Sequence, residues 1–252
     1  LSFKKLDVDL DWSSYAGKRK HYPWFILAAL TLAKHGYNIV MHGASGHTMN
    51  RVYTEQVLTY LGYPICQNDA EVEQQLLQQH FAYIPLEVIS PILADLIALR
   101  NVMGLRSPIH TLARLINPFN AKATLQAIFH PAYRGSHQQA AFRLGYKNSA
   151  VIKGEGGEFE RNPDAKTLIC GIKDGLLYEH ELPKLTDNRS PIEEELDLAL
   201  FKAVWDGQQS HDYGEIAVIE TMGIALYTMG VCDSFEAAMQ KAKILWANRH
   251  TV

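Results

Sequence analysis

Cysteine is scarce in this chain. Three are present in 252 residues, Cys66, Cys170 and Cys232. They lie far apart without a Cys-x-x-Cys pair, so no disulfide framework is expected, only free core thiols in a reducing compartment. Long apolar runs are also missing. No stretch of 18 apolar residues and no signal peptide occur, so neither a membrane span nor export is expected, and the expected location is cytoplasmic. Excess positive charge is missing too: 24 Lys and Arg stand against 27 Asp and Glu, a net charge of −3. That balance argues against a globally basic nucleic-acid binder. It permits a local basic groove offset by acids elsewhere, such as Glu193-Glu194-Glu195. Internal repeats and low-complexity linkers are absent. The chain opens at Leu1 without a methionine and soon reaches its first strand, so an upstream segment is expected.

Hydrophobic residues make up 47% and charged residues 20% of the chain, ordinary values for a globular protein with ample length to bury a core. The organising stretch is 6–43. Val8 and Leu10 alternate as in a short strand. A polar turn follows from Trp12 to Tyr22. The apolar run from Trp24 to Ala33 is too long for a typical strand and closes on Gly36, so it reads as a buried helix. Ile39–Met41 is a second strand. The turn therefore feeds a helix N-terminus, the corner of open α/β sheets where phosphates bind.

That corner is poor in glycine. A loop that wraps a phosphate needs several glycines for close backbone approach. Ser13–Pro23 holds one, Gly17, with Lys18, Arg19 and Lys20 and two tyrosines. It reads as anion-seeking through side chains, or as a solvated basic turn.

Further along, helices are expected over 48–62, 69–79 with Asn68 or Asp69 as cap, from Glu87 or Ser90-Pro91 to Gly104, and from Ser107-Pro108 to Asn117. Residues 48–117 thus read as a helical block interrupting the α/β pattern. Strands are expected at Leu125–Phe129 and Ser149–Lys153, with a helix over 135–144 between them. A hairpin is expected at 167–180 around Lys173-Asp174-Gly175. Helices at 191–205, 213–229 and 234–248 close the chain, the first with an acidic opening turn. The expected fold is α/β: a mixed central sheet with surrounding helices, formed by 1–47 and 118–252, plus a helical subdomain to which 48–117 belongs.

This order of elements resembles the anthranilate phosphoribosyltransferase (TrpD) family, glycosyl transferase family three. Four stretches carry the resemblance. Val40-Met41-His42-Gly43 matches a Lys-His-Gly turn. Val57-Leu58 through Leu61-Gly62 matches a Val-Leu-Glu-Ala-Leu-Gly helix end. Arg100 through Gly104-Leu105-Arg106-Ser107 to Asn117-Pro118 follows Arg…Leu-Gly-x-Arg-Thr…Leu-Gly-Pro-Leu-x-Asn-Pro. Ala150-Val151-Ile152-Lys153-Gly154 through Gly157 and Glu160 follows Val-Val-His-Gly…Gly-x-Asp-Glu. Ile224–Tyr227 adds a fifth match.

The resemblance implies expulsion of pyrophosphate from a sugar whose C1′ becomes cationic. It also implies a Gly-Thr-Gly-Gly-Asp loop for the leaving group and magnesium on an Asp-Glu pair. The chain departs at each point. The glycine-rich loop is replaced, the Lys is Met41, the following Asn-Arg is Ala44-Ser45, the acceptor-site His-Pro is Ser90-Pro91, and Asp-Glu becomes Phe159-Glu160. What remains is Arg100, Arg106, His42, Gly43, Lys153, Gly154 and Glu160, of which His42, Gly43 and Gly154 form a vestigial substrate site.

A branch of the family typified by YbiB keeps the fold without these motifs, and Gly154–Pro163 resembles it. That likeness implies no cofactor, nucleic-acid binding linked to DNA damage, and a homodimer through the helical subdomain. DNA or RNA is then expected on Lys18, Arg19, Lys20, Arg100, Arg106 and Lys153, independently of sequence. Arg114 and Lys147 belong to the same expected face, and Tyr15, Tyr22 and Trp24 are candidate stacking rings. With about five phosphate contacts, affinity is expected to fall roughly 500-fold between about 50 and 200 mM salt. Two alternatives stay open. One is an active phosphoribosyl or glycosyl transferase with another acceptor, using magnesium on Glu158 and Glu160. The other is a pseudoenzyme that senses a sugar phosphate or nucleotide.

Overall fold

A computed structural model describes residues 4–44, 46, 50–104, 108–189 and 191–251, without the side chains of Asn101 and Met103. Arg106 and its neighbours 105 and 107 lie outside the described residues.

The strands form a seven-stranded sheet in the order β3-β2-β1-β4-β5-β6-β7. They are β1 (Leu10–Ser14), β2 (Ile39–Gly43), β3 (Phe81–Pro85), β4 (Ala123–Ile128), β5 (Ser149–Lys153), β6 (Thr167–Lys173) and β7 (Leu176–Leu182). The pairs β3·β2, β2·β1, β1·β4 and β4·β5 are parallel, and β6 and β7 add antiparallel. The parallel strands are buried along their length apart from Lys153 at the end of β5, and β1 and β4 bury polar residues (Asp11, Ser13, Ser14, Thr124 and Gln126) among their apolar ones. Sequence order reverses between β1 and β4, so the crevice beyond their C-terminal ends is the topological switch point, where α/β sheets bind ligands.

Helix α1 (Trp24–Lys34) is buried from Trp24 to Ala33, and its apolar side chains have neighbours all round. It packs chiefly on α10 (Asp212–Thr228), which in turn packs on α11 (Phe235–Ala247). Between β2 and β3 come α2 (Thr54–Tyr60) and α3 (Asp69–Gln79). The Asn68 carboxamide oxygen caps α3 by accepting the Glu71 N–H at 2.9 Å. Among the described residues after β3 come the short helices α4 (Leu86–Ile89), α5 (Pro91–Ala98), α6 (Arg100–Met103) and α7 (Ile109–Leu112). Helix α8 (Arg134–Arg143) links β4 to β5, and α9 (Leu198–Trp205) precedes α10.

Two expectations are corrected. The 48–117 segment is not helical throughout: Phe81–Pro85 is a sheet strand paired with β2. The helix expected from Pro191 begins only at Leu198, where the Asp197 carboxylate accepts the Ala199 N–H. The acids Glu193–Glu195 precede it in extended or bent chain, because the Glu193 N–H is spent on the Lys20 carbonyl. The cysteines carry no disulfide, and burial pushes the Cys66 thiol up to about 11. No helix among the described residues is long and apolar enough to cross a membrane.

Candidate functional site

The site is the loop after β1 and the segment that covers it. β1 runs further than expected and takes Ser13 and Ser14 into the sheet, which shortens the loop. Gly17 turns it with φ +65°. Lys18 then forms a two-way backbone bridge with Val52, at 2.9 and 2.7 Å. Backbone amides of Ala16 and Gly17 converge there, and the Phe25 amide faces in from the first turn of α1. In a phosphate-binding protein such amides await an anion.

Here the chain's own acids occupy them. Glu158 Oε1 accepts the N–H groups of Ala16 and Gly17 at 2.6 and 2.7 Å. Glu160 Oε2 accepts the Phe25 N–H at 2.9 Å, and its Oε1 takes the Lys18 ammonium at 2.8 Å. Side chains of an extended segment alternate in direction. Phe159 goes into the core, edge-on to Trp12 at 5.7 Å, and that sends Glu158 and Glu160 together to the loop. The loop's carbonyls are also taken: Arg51 Nη1 donates to Ala16 and Gly17 oxygens at 3.0 and 2.9 Å.

Electrostatics follow from burial. Glu158 is 0% exposed. Burial pushes its carboxyl above the usual range, against the Ala16 amide and the Arg114 charge, which favour ionisation. Lys18 is 2% exposed. Burial pulls on its ammonium, but Glu160 and Glu155 outweigh that and hold it charged beyond its ordinary range.

Magnesium and these residues do not fit. The ion takes oxygen ligands in near-octahedral array and keeps several waters. Both carboxylates are buried and already hold donors, and an ammonium sits 2.8 Å from one of them. No group of three His, Cys, Asp or Glu among the described residues is arranged to hold a metal ion.

His42 lies on β2, fully buried, between Asp11 Oδ1 at 3.1 Å and the Tyr15 hydroxyl at 2.7 Å. Burial raises the Asp11 carboxyl against the opposing pull of His42, and it also holds Tyr15 neutral. The imidazole thus locks the Tyr15 ring in place. Gly43 and Gly154 are needed for close approach. A Cβ on Gly43 would lie 1.9 Å from the Ser14 carbonyl oxygen, and one on Gly154 would lie 1.6 Å from that of Glu158.

The expected cationic residues are scattered. Lys18 is an internal ion pair, not a surface contact. Arg19 and Lys20 are exposed but share a groove with Arg51 and the acids Glu194 and Glu195. Arg100 is part-buried on α6 with an interaction of its own. Lys153 is exposed at the end of β5, in register with Ile128. Tyr15, Tyr22 and Trp24 are core residues: Trp24 packs on Phe201 at 5.4 Å and on His211 at 4.7 Å. None of the three is a stacking surface.

Sequence reasoning missed the opening beside the loop. A cavity of about 460 Å³ lies beyond the ends of β1 and β4. Tyr15 and Ala127 reach it from the strands, His110 and Arg114 from one wall, and Phe129, His130 and Tyr133 from the other. The signal was Phe129-His130-Pro131-Ala132-Tyr133, aromatic residues directly after a strand at the switch point. Arg114 stands where the family pattern quoted above has the proline of Leu-Gly-Pro-Leu. Its guanidinium donates to the His110 carbonyl and, at 3.4 Å, to the Gly157 carbonyl.

A mixed sheet with a parallel core, whose switch-point loop opens a helix, defines an α/β protein of the kind that binds ligands at that corner. The chain belongs to the glycosyl transferase family, a/b domain, which its residues 26–248 match. It is 28% identical over 217 residues to an anthranilate phosphoribosyltransferase of Cupriavidus pinatubonensis, covering 82% of this chain and 58% of that one. It is 30% identical over 173 residues to the uncharacterized protein YbiB of Escherichia coli K12, covering 67% and 53%. It therefore spans a little over half the length of these relatives. Anthranilate phosphoribosyltransferase (TrpD) from Thermus thermophilus has the same fold, with TM-score 0.80 at 21% identity over 98% of this chain and 76% of that one.

Proposed function

We propose that this chain has lost phosphoribosyl transfer at the loop site and binds single-stranded nucleic acid. One observation carries the reading: the amides of Ala16, Gly17 and Phe25 are filled by Glu158 and Glu160. A diphosphate placed there meets two carboxylates and one already neutralised ammonium. A Saccharomyces cerevisiae anthranilate phosphoribosyltransferase of the same fold is known in complex with PRPP and Mg.

The opening beside the loop favours a polyanion with rings. Among the described residues lining the cavity there is no Asp or Glu, and there are two histidines, one arginine and three other aromatic rings. Lys153 stands beside it, next to Ile128 of the cavity wall. The binding surface is accordingly placed here, and not on Lys18-Arg19-Lys20.

The test is fluorescence anisotropy of a labelled single strand titrated with nuclease-treated protein, beside an assay of magnesium-dependent pyrophosphate release from phosphoribosyl diphosphate. Saturable, salt-sensitive binding with no release is expected. Release above background would restore the transferase reading.

A further inference from the structure

The cavity has more detail than phosphate tracking needs. Phe129 and Tyr133 are 52% and 54% exposed, in a chain whose other large rings are mostly buried. Both meet His130 edge-on, Phe129 at 4.9 Å and 83° and Tyr133 at 6.2 Å and 80°. Pro131 starts the single helical turn Pro131–Tyr133 that fixes their spacing. The floor is the end of β4 and the ring of Tyr15, which His42 and Asp11 hold from below. The Arg114 guanidinium lies 6.0 Å from that ring. A volume of about 460 Å³ falls within the range of small-ligand pockets, roughly 300–1,000 Å³.

We propose that this cavity receives one unpaired base of the bound strand, stacked on Phe129 or Tyr133, with Arg114 and Lys153 supplying positive charge to the adjoining phosphates. The proposal rests on the nucleic-acid reading and deepens it. Aromatic faces accept any base, so selectivity among bases is weak. A paired base stays in its stack, so the pocket selects single strands over duplex.

The experiment compares a labelled oligothymidine with an abasic strand of equal length, using the unaltered chain and a Phe129→Ala, Tyr133→Ala variant. The unaltered chain is expected to bind oligothymidine about tenfold or more tightly than the abasic strand. The variant should lose that preference and keep the salt slope, since phosphate contacts set the slope. Both rings are half-exposed, so an unchanged circular dichroism spectrum and urea midpoint should accompany the loss. Equal binding of the two strands by the unaltered chain would overturn the base pocket and leave phosphate tracking standing. Binding of neither strand at low salt would overturn both.

Discussion

Glu158 and Lys18 dominate at the scale of single residues. A Glu158→Gln change keeps an oxygen acceptor for the Ala16 and Gly17 amides and removes a buried charge. The folded carboxyl titrates above its unfolded counterpart, so the folded state binds the proton more tightly. Its contribution to stability is complete below the unfolded value and is lost as pH rises through the folded one. Urea midpoints across that window should therefore fall less steeply with rising pH in Glu158→Gln than in the unaltered chain. Lys18→Met is the opposite case. It leaves Glu160 buried and unneutralised, and a loss of about 3–5 kcal/mol in urea unfolding is expected. The sequence offers this lysine as a binding probe; the structure makes it a stability residue.

At the scale of elements, much was legible in sequence because local signals agreed with the fold. Asn68 before Asp69, Gly62 and Gly145 at φ +85°, and Asp174-Gly175 at φ +51° and +78° mark ends and turns that the structure shows. Asn68→Ala should cost about 1 kcal/mol through loss of the cap, read from thermal unfolding. Gly154→Ala should cost about 1–3 kcal/mol or more, since the added methyl meets a backbone oxygen rather than a movable side chain. β3 was not legible. Its five residues sit between helical stretches and are too short a run for periodicity to separate strand from helix, so pairing with β2 decides. The start of α9 was also hidden, because the bond from Glu193 to Lys20 spans the chain and leaves no local mark. The site was half legible. The alternation Glu158-Phe159-Glu160 announces two acids on one face, but nothing local says that the face is the loop after β1.

For the whole molecule, Ile92, Leu99 and Val102 expose an apolar face along α5 and α6. We propose that this face joins two copies of the chain. Sedimentation should show concentration-dependent dimers, and Ile92→Glu with Val102→Glu should leave monomers of unchanged fold. The same scale decides charge: a chain of net charge −3 binds a polyanion only where its acids are turned away. Glu158 and Glu160 are turned inward, and Glu194 and Glu195 line the same groove as Arg19.

The most direct measurement is the anisotropy of a labelled single strand at about 50 and 200 mM salt, repeated with excess phosphoribosyl diphosphate and magnesium. With about five phosphate contacts, the single-strand slope gives a loss of roughly a hundredfold between the two salts. That loss is expected, with no displacement by phosphoribosyl diphosphate. A flat signal at low salt, or displacement by phosphoribosyl diphosphate, would contradict the proposed function.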